Sequence, residues 1–432
     1  MRGSVESIAF GGEGILRYQG LVVFLPFTAP GDEVLFEILR QKKNYALGKV
    51  LQIITPSALR TAPACPHFGY CGGCQLQHLE YPAQLEIKRK FIKDAFSRIA
   101  EAQVKIGPII PAEKCWAYRE HVRLTVRSDE GKLKAGYIGH DHNSFIPISE
   151  CPIFVDSLNP ILSEIQNLLS EWKSTTIPSS LRLFKRQDRF LLIFYFPSLL
   201  SSEEIKQIRE ALHKSPHWEG IILSDPHHRS SSLSAFPDSM LEETNYSIEV
   251  EGLKFRFSPL GFIQNHLEQS VLMYRYILEQ VQATTQSALD LYCGIGITSL
   301  LLAQRGIKTL GVESHSDTVT MAKQNARENS TPLAEFYCGK VEDLLGKLFK
   351  KGRFDLVLLN PPRIGLTHRV VSEIIRAKPQ RLIYTSCMPA TLARDIRFFI
   401  KNGYQISSAQ GFDMFPQTTH VETVSVLDRI DS

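Results

Sequence analysis

The chain has 432 residues, 43% of them hydrophobic, and a formal net charge of +4. That length exceeds one ordinary core, so two or three domains are expected, and the apolar share excludes a disordered or fibrous protein. No apolar run is long enough to span a bilayer, and the opening Met1-Arg2-Gly3-Ser4-Val5-Glu6 lacks the apolar stretch of a secretory leader, so a cytoplasmic protein with no membrane partner is expected.

Residues 1–55 read as a small β-barrel. Leu21–Leu25 and Val34–Ile38 are short strand-like runs, punctuated by Gly11-Gly12, Gly20 and Pro30-Gly31-Asp32. The basic hairpin that follows carries Arg40, Lys42, Lys43, Lys49 and Tyr45. Such a set suits phosphate contacts and base stacking, although Tyr45 could equally face the barrel core.

Residues 56–250 form the expected central domain, of mixed α and β character. Near its start stand Cys65, Cys71 and Cys74, separated by five and two residues. In a reducing compartment this trio points to a metal rather than to disulfides. Zinc and an iron–sulfur cluster are both open, with His67 and His78 as further zinc donors, but a zinc ribbon would show a second close pair. A helix is expected from Tyr81 to about Ala102, and the segment 80–110 is expected to pack on the catalytic domain. Its Lys88, Arg89, Lys90, Lys93 and Arg98 read as a basic stripe for RNA, or as a solvated face. Strands are expected at Val122–Val126 and Phe190–Phe194, a capped helix at Ser201–His213 and a loop at His227–Ser234. The isolated Cys115, Cys293 and Cys338 read as packing residues.

Residues 251–432 form the third expected domain. From about residue 285, apolar strands alternate with helices, the pattern of a mostly parallel sheet covered on both faces. In such sheets ligands sit beyond the carboxyl ends of the strands, and every informative residue falls there. Asp290-Leu-Tyr-Cys-Gly-Ile-Gly296 closes one strand, and Glu313, 23 positions after Asp290, closes the next. The glycines allow close backbone approach, and an acid at that spacing can bind ribose hydroxyls. Thr298-Ser299 stand where a pyrophosphate-binding loop would continue with glycine, which favours a phosphate-free nucleoside such as S-adenosylmethionine. Asn360-Pro361-Pro362-Arg363 is a stiffened strand end that can hold a flat base.

Cys387 ends a further strand just before a helix expected from about Ala390. The free N–H groups there favour a thiolate, although a strand-end cysteine can also be inert packing. Glu422 lies in the β-favouring run His420–Leu427, as a base near the active site or as an edge-strand charge facing solvent. A thiolate and a base suit methylation of uracil at carbon 5, because thiol addition at carbon 6 makes carbon 5 nucleophilic.

These residues resemble the RNA 5-methyluridine methyltransferases, the branch with an N-terminal TRAM domain and a 4Fe–4S cluster. Gly11–Gly14 through Pro30–Asp32 looks like TRAM. Cys65-Pro-His-Phe-Gly-Tyr-Cys71-Gly-Gly-Cys74 resembles the cluster motif, Tyr384–Asp395 the nucleophile signature and His420-Val-Glu422-Thr-Val the base signature. The resemblance implies a Rossmann-like class I methyltransferase domain of α/β class, a TRAM/OB-like barrel and a central mixed α+β iron–sulfur domain. It implies Cys387 and Glu422 as catalytic residues, and Gln264, Tyr292, Glu313 and Asn360 at S-adenosylmethionine. Arg123 would lie near the substrate, and Cys65, Cys71, Cys74 and Cys151 would be the cluster ligands. The implied partner is 23S ribosomal RNA, with tRNA as the alternative, bound by a monomer. Two positions depart from the family pattern: Asn360 stands for the usual aspartate, and Ile297 for an asparagine. Asn360 also motivates a rival reading, an exocyclic-amine RNA methyltransferase. Together the two departures motivate a second rival, a non-catalytic RNA-binding relative.

Overall fold

Short strands turning at glycines build the start of the chain, as their composition demands. In the computed structural model, residues 1–430 are described except 173, 187–188, 207–216, 225–232, 235–245 and 262. They divide into two units that interleave along the sequence. The first comprises Met1–Tyr81, Lys114–Thr244 and Pro416–Thr419; the second comprises Pro82–Glu113, Asn245–Phe415 and His420–Ser432.

In the first unit, strands β1 (Arg2–Ser4), β2 (Ser7–Ile8), β3 (Gly14–Tyr18), β4 (Leu21–Leu25), β5 (Glu33–Gln41) and β6 (Tyr45–Thr55) form one sheet. Its order is β1-β5-β6-β4-β3-β2. Alternate residues Leu16, Val23, Leu25, Val34 and Phe36 point into a shared core. Tyr45 does not join them. It is 39% exposed, and its ring meets Phe24 edge-on at 5.7 Å. Arg40, Lys42, Lys43 and Lys49 are likewise exposed.

A second sheet of this unit is built from β7 (His121–Asp129), β8 (Lys132–Ile138), β9 (Phe145–Pro147), β10 (Ser180–Arg186), β11 (Arg189–Tyr195), β12 (Trp218–Ser224) and β13 (Leu233–Ser234). Its order is β13-β12-β11-β10-β7-β8-β9. One face is covered by the helix Leu158–Ser170, whose Leu158, Ile161, Leu162, Ile165 and Leu169 recur at helical spacing and are buried. Ser201 and Glu204 form the expected cap: the Ser201 amide donates to the Glu204 carboxylate at 2.9 Å, and the Glu204 amide donates to Ser201 Oγ at 3.2 Å. Residues 202–206 are helical, and the rest of the expected helix lies outside the described residues. The expected loop at 227–234 also falls largely outside them, but Leu233–Ser234 is a strand paired with β12.

The second unit takes the helix Tyr81–Ala95 and its π-helical extension Phe96–Ala100. Ile92 and Phe96 enter the core of the sheet domain. Lys88 is not part of an exposed basic stripe. It is fully buried, with Nζ 2.6 Å from Asp413 Oδ1 and 2.9 Å from the Phe415 carbonyl. A buried ammonium persists only when paired in this way. Lys90 and Arg98 share Asp94 on the outer face.

After the hairpin β14 (Tyr246–Val250) and β15 (Leu253–Phe257) comes the main sheet. Its strands are β16 (Ser287–Leu291), β17 (Lys308–Glu313), β18 (Ala334–Cys338), β19 (Leu356–Leu359), β20 (Arg381–Ser386), β21 (Tyr404–Phe412) and β22 (Glu422–Arg429). The order is β18-β17-β16-β19-β20-β22-β21, parallel until β22 reverses direction. Leu289, Leu291, Val357 and Leu359 face one core, while Ala288, Leu356 and Leu358 face the other. Burial on both faces explains why these strands are apolar without alternation. Among the described residues no helix is long and apolar enough to cross a membrane.

Candidate active site

The carboxyl ends of β16, β17, β19 and β20 bring the nucleoside-type residues and the reactive residues of the second unit to one edge. Tyr292 leaves β16 in the left-handed region at φ 63°, and Gly294 and Gly296 follow at φ 55° and 85°. The two glycines do different work. A Cβ on Gly296 would stand 2.7 Å from the Phe336 ring, whereas one on Gly294 would meet nothing within 4 Å. Gly296 therefore serves packing, and Gly294 faces open space. Ile297, at the start of the next helix, is buried in the core, which explains why an apolar residue is accommodated there. Asp290 is buried, accepts a 2.7 Å bond from Ser299 Oγ, and its carboxyl is pushed up to about 7 by burial. One carboxylate oxygen of Glu313 accepts from the amides of Ser314 and His315, at 2.6 and 3.0 Å. Gln264 is buried, in the segment before the helix Leu267–Glu279. Asn360 is exposed, with its amide 3.4 Å from the Leu291 carbonyl.

Strand pairing sets the reactive pair. Ser386 of β20 lies opposite Thr423 of β22, and just beyond this last pair Cys387 and Glu422 lie near enough for the Glu422 charge to act on the Cys387 thiol. Glu422 is 4% exposed and β22 is flanked by β20 and β21, which removes the reading of an edge-strand charge facing solvent. Burial pushes its carboxyl up to about 8, against the partial opposition of Arg363. Cys387 is partly exposed and stands two residues before the helix Pro389–Ile400. Burial and the neighbouring Glu422 push its thiol up, and Arg363 pulls it down by charge and a side-chain hydrogen bond. Proximity to the helix end therefore does not suffice to make a resting thiolate here.

Arg363 is the residue that the motif reading passed over, although it directly follows the two prolines. Its loop is fixed to the helix Pro389–Ile400 by several bonds. Thr391 Oγ1 donates to the Arg363 carbonyl at 3.2 Å, and Arg394 donates to the Ile364 carbonyl at 2.9 Å. Asp395 accepts from the Leu366 amide at 2.8 Å and from the Tyr384 hydroxyl at 2.7 Å. Asp395, buried within the nucleophile signature, thus ties the Arg363 loop to β20. Arg123, by contrast, belongs to the first unit. It is exposed on β7, bonded to Ser180 Oγ at 3.1 Å and set over the Tyr195 ring at 4.5 Å.

The first unit holds the other cysteine site. Cys65, Cys71, Cys74 and Cys151 all line one cavity, together with His67, Arg119 and Tyr137. Burial pushes Cys74 up to about 11 and Cys151 to about 12, and raises Cys65 and Cys71 as well. Buried Arg119 Nε and His67 Nε2 have no hydrogen-bond partner. Among the described residues no group of three or more histidine, cysteine, aspartate or glutamate side chains is arranged to hold a metal ion. Cys338 is exposed, against its reading as a packing residue, while Cys293 packs beside Gly311.

A family model described as tRNA (uracil-5-)-methyltransferase matches residues 236–430. The TRAM-domain model of tRNA (uracil(54)-C(5))-methyltransferase matches residues 1–59. The chain is 41% identical over 441 residues to an uncharacterized RNA methyltransferase of Protochlamydia amoebophila, covering 100% of this chain and 98% of the relative. It is 33% identical to another from Thermosynechococcus vestitus, covering 98% and 96%. Among solved structures, Pyrococcus abyssi tRNA (uracil-54, C5)-methyltransferase in complex with S-adenosyl-L-homocysteine is similar with a TM-score of 0.71 and 26% identity, covering 99% of this chain and 100% of that one.

Proposed function

Because the chain belongs to the tRNA (uracil-5-)-methyltransferase family, and is thus an S-adenosylmethionine-dependent RNA methyltransferase, we propose that Cys387 and Glu422 carry out its methylation of uridine carbon 5. The observation that supports this reading is that Cys387 and Glu422 follow directly on the Ser386–Thr423 pair and that the charge of Arg363 acts on both. Cys387 loses its proton to solvent and the thiolate adds to carbon 6, and the electron pair of the ring double bond moves toward carbon 5 and oxygen 4. Carbon 5 attacks the sulfonium methyl of the donor, and the broken S–C bond leaves its pair on sulfur as S-adenosylhomocysteine. Glu422 takes the carbon 5 proton, the double bond re-forms and the thiolate leaves. Arg363 stabilises the two anions this sequence requires, the thiolate before addition and the carboxylate before proton removal. Gln264, Tyr292, Glu313 and Asn360 would hold the donor. Asn360 offers an amide in place of a carboxylate, which keeps hydrogen bonding and removes one negative charge.

Cys65, Cys71, Cys74 and Cys151 would hold a 4Fe–4S cluster, and their convergence on one cavity supports that donor set. A single tetrahedral ion would need the sulfurs about 3.8 Å apart around one point, whereas a cluster accepts thiolates spread around a larger core. Such a cluster supplies no redox step to this reaction; the cysteines would cross-link the 65–74 loop to the segment at 151. The RNA surface would include Tyr45 with its basic neighbours, and Arg123. The substrate is 23S ribosomal RNA by the sequence resemblance, while the Pyrococcus neighbour's action on tRNA supports tRNA as the second reading. The test is incubation with 5-fluorouridine-substituted 23S rRNA and tRNA transcripts and S-adenosylmethionine. A denaturation-resistant adduct is expected with one of them, with Cys387 as the attachment point by peptide mapping. No adduct with either would overturn the mechanism.

A further inference from the structure

The loop that carries Arg363, exposed but acting by its charge on Cys387, carries Ile364 next to it. Ile364 is 75% exposed, the most exposed large hydrophobic side chain among the described residues. It sits on a tight turn closed by the Gly365 amide on the Pro362 carbonyl at 2.8 Å. The turn cannot easily relax. Gly365 is left-handed at φ 80°, and a Cβ there would lie 2.6 Å from both Arg394 Nη2 and Asp395 Oδ2. Arg394 holds the Ile364 carbonyl, and Asp395 accepts from the Leu366 amide. A β-branched side chain adds its own stiffness. The result is a rigid apolar knob standing in solvent directly beside Arg363, whose charge acts on Cys387 and Glu422.

Nothing in folding calls for an apolar group in that position, but the chemistry does. Thiol attack on carbon 6 and methyl delivery to carbon 5 need access to the faces of the uracil ring. In a stacked strand neighbouring bases cover those faces, so the uridine must leave the stack at a cost of a few kcal/mol. An apolar side chain inserted between the bases left behind recovers part of that loss.

We propose that Ile364 is an RNA wedge, filling the stack vacated by the target uridine as it enters the active site; this rests on the uridine chemistry proposed above. The wedge acts on the RNA and takes no part in proton or methyl transfer. The test uses whichever transcript, 23S rRNA or tRNA, the wild-type enzyme methylates. It is assayed folded in magnesium and again as short single-stranded fragments covering the methylated uridine. Ile364→Ala and Ile364→Ser are expected to lower kcat/KM on the folded RNA about tenfold or more. On the fragments they should stay near wild type, and their melting temperatures should not change. With 2-aminopurine beside the target, the fluorescence rise on binding should be lost in Ile364→Ala and kept in Ile364→Leu. Equal losses on both RNA forms, or no loss on the folded one, overturn the wedge while the chemistry stands. A wild-type enzyme that methylates neither transcript overturns the chemistry and the wedge with it.

Discussion

The molecule places cysteine beside arginine in two regions, and the two environments differ in a way that separates their chemistry. At the sheet edge a single, partly exposed thiol, Cys387, shares Arg363 with one buried carboxyl, Glu422. In the first unit four thiols surround one cavity with Arg119, and burial raises all four. One guanidinium can balance one anion at a time, which suits a site where a thiolate and a carboxylate are needed in turn. It cannot balance four thiolates. Under the reading proposed above those would need a multivalent iron core, so the same pair of residue types would serve covalent catalysis in one place and metal binding in the other.

The largest effect should come from Cys387→Ala, which removes the nucleophile. Methyl transfer should fall at least about 10⁴-fold and the fluorouridine adduct should vanish; retained methylation would end the distinction drawn above. Arg363→Met should follow, with kcat reduced about 10²–10³-fold and the Cys387 thiol shifted further upward, read from the pH dependence of iodoacetamide alkylation. Arg363→Lys should recover part of both. If the alkylation profile does not move, Arg363 is only a loop anchor.

In the first unit, Cys151→Ser should leave the reconstituted protein short of iron and acid-labile sulfide. The same change should leave alkylation of Cys387 untouched. Normal iron and sulfide contents in that variant would remove the metal half of the comparison.

The smallest effect is the pH dependence. Asp290 and Glu422 are raised in the folded state to about 7 and about 8, so the stabilisation they give is present below the unfolded carboxyl range and is lost as pH rises through those values. The melting temperature should fall between pH 6 and 9, and Glu422→Gln should flatten that slope. Turnover should rise over the same interval as the base ionises, and a turnover that fell instead would contradict the role given to Glu422.

What the sequence revealed was what is local. The glycine turn after Asp290, the cysteine spacing and the nucleophile signature are short strings whose chemistry can be read without a fold. The sheet's parallel character was legible too, because strands buried on both faces lose their alternation. Glu422 was harder: whether its strand is an edge or an interior one depends on β21 and β22 pairing, which no local pattern encodes. Lys88 looked like its exposed basic neighbours because the partner that buries it, Asp413, is 325 positions away. Ile297 was legible only as a departure from the family's asparagine; that it packs in the core needed the fold. Arg363 was visible but unassigned, since only the loop's anchorage to the helix of Cys387 aims it at the sulfur.

The four residues Pro416–Thr419 belong to the first unit although the chain on both sides of them belongs to the second. Gln417 receives the amides of Gln75 and Leu76, and the Thr419 amide reaches the Gln75 side chain across 344 positions. On the ribosome, the early-made unit therefore waits for one of its pieces until residues 245–415 have been translated. Its maturation should be post-translational, and a fragment cut anywhere before residue 416 would leave it without that piece.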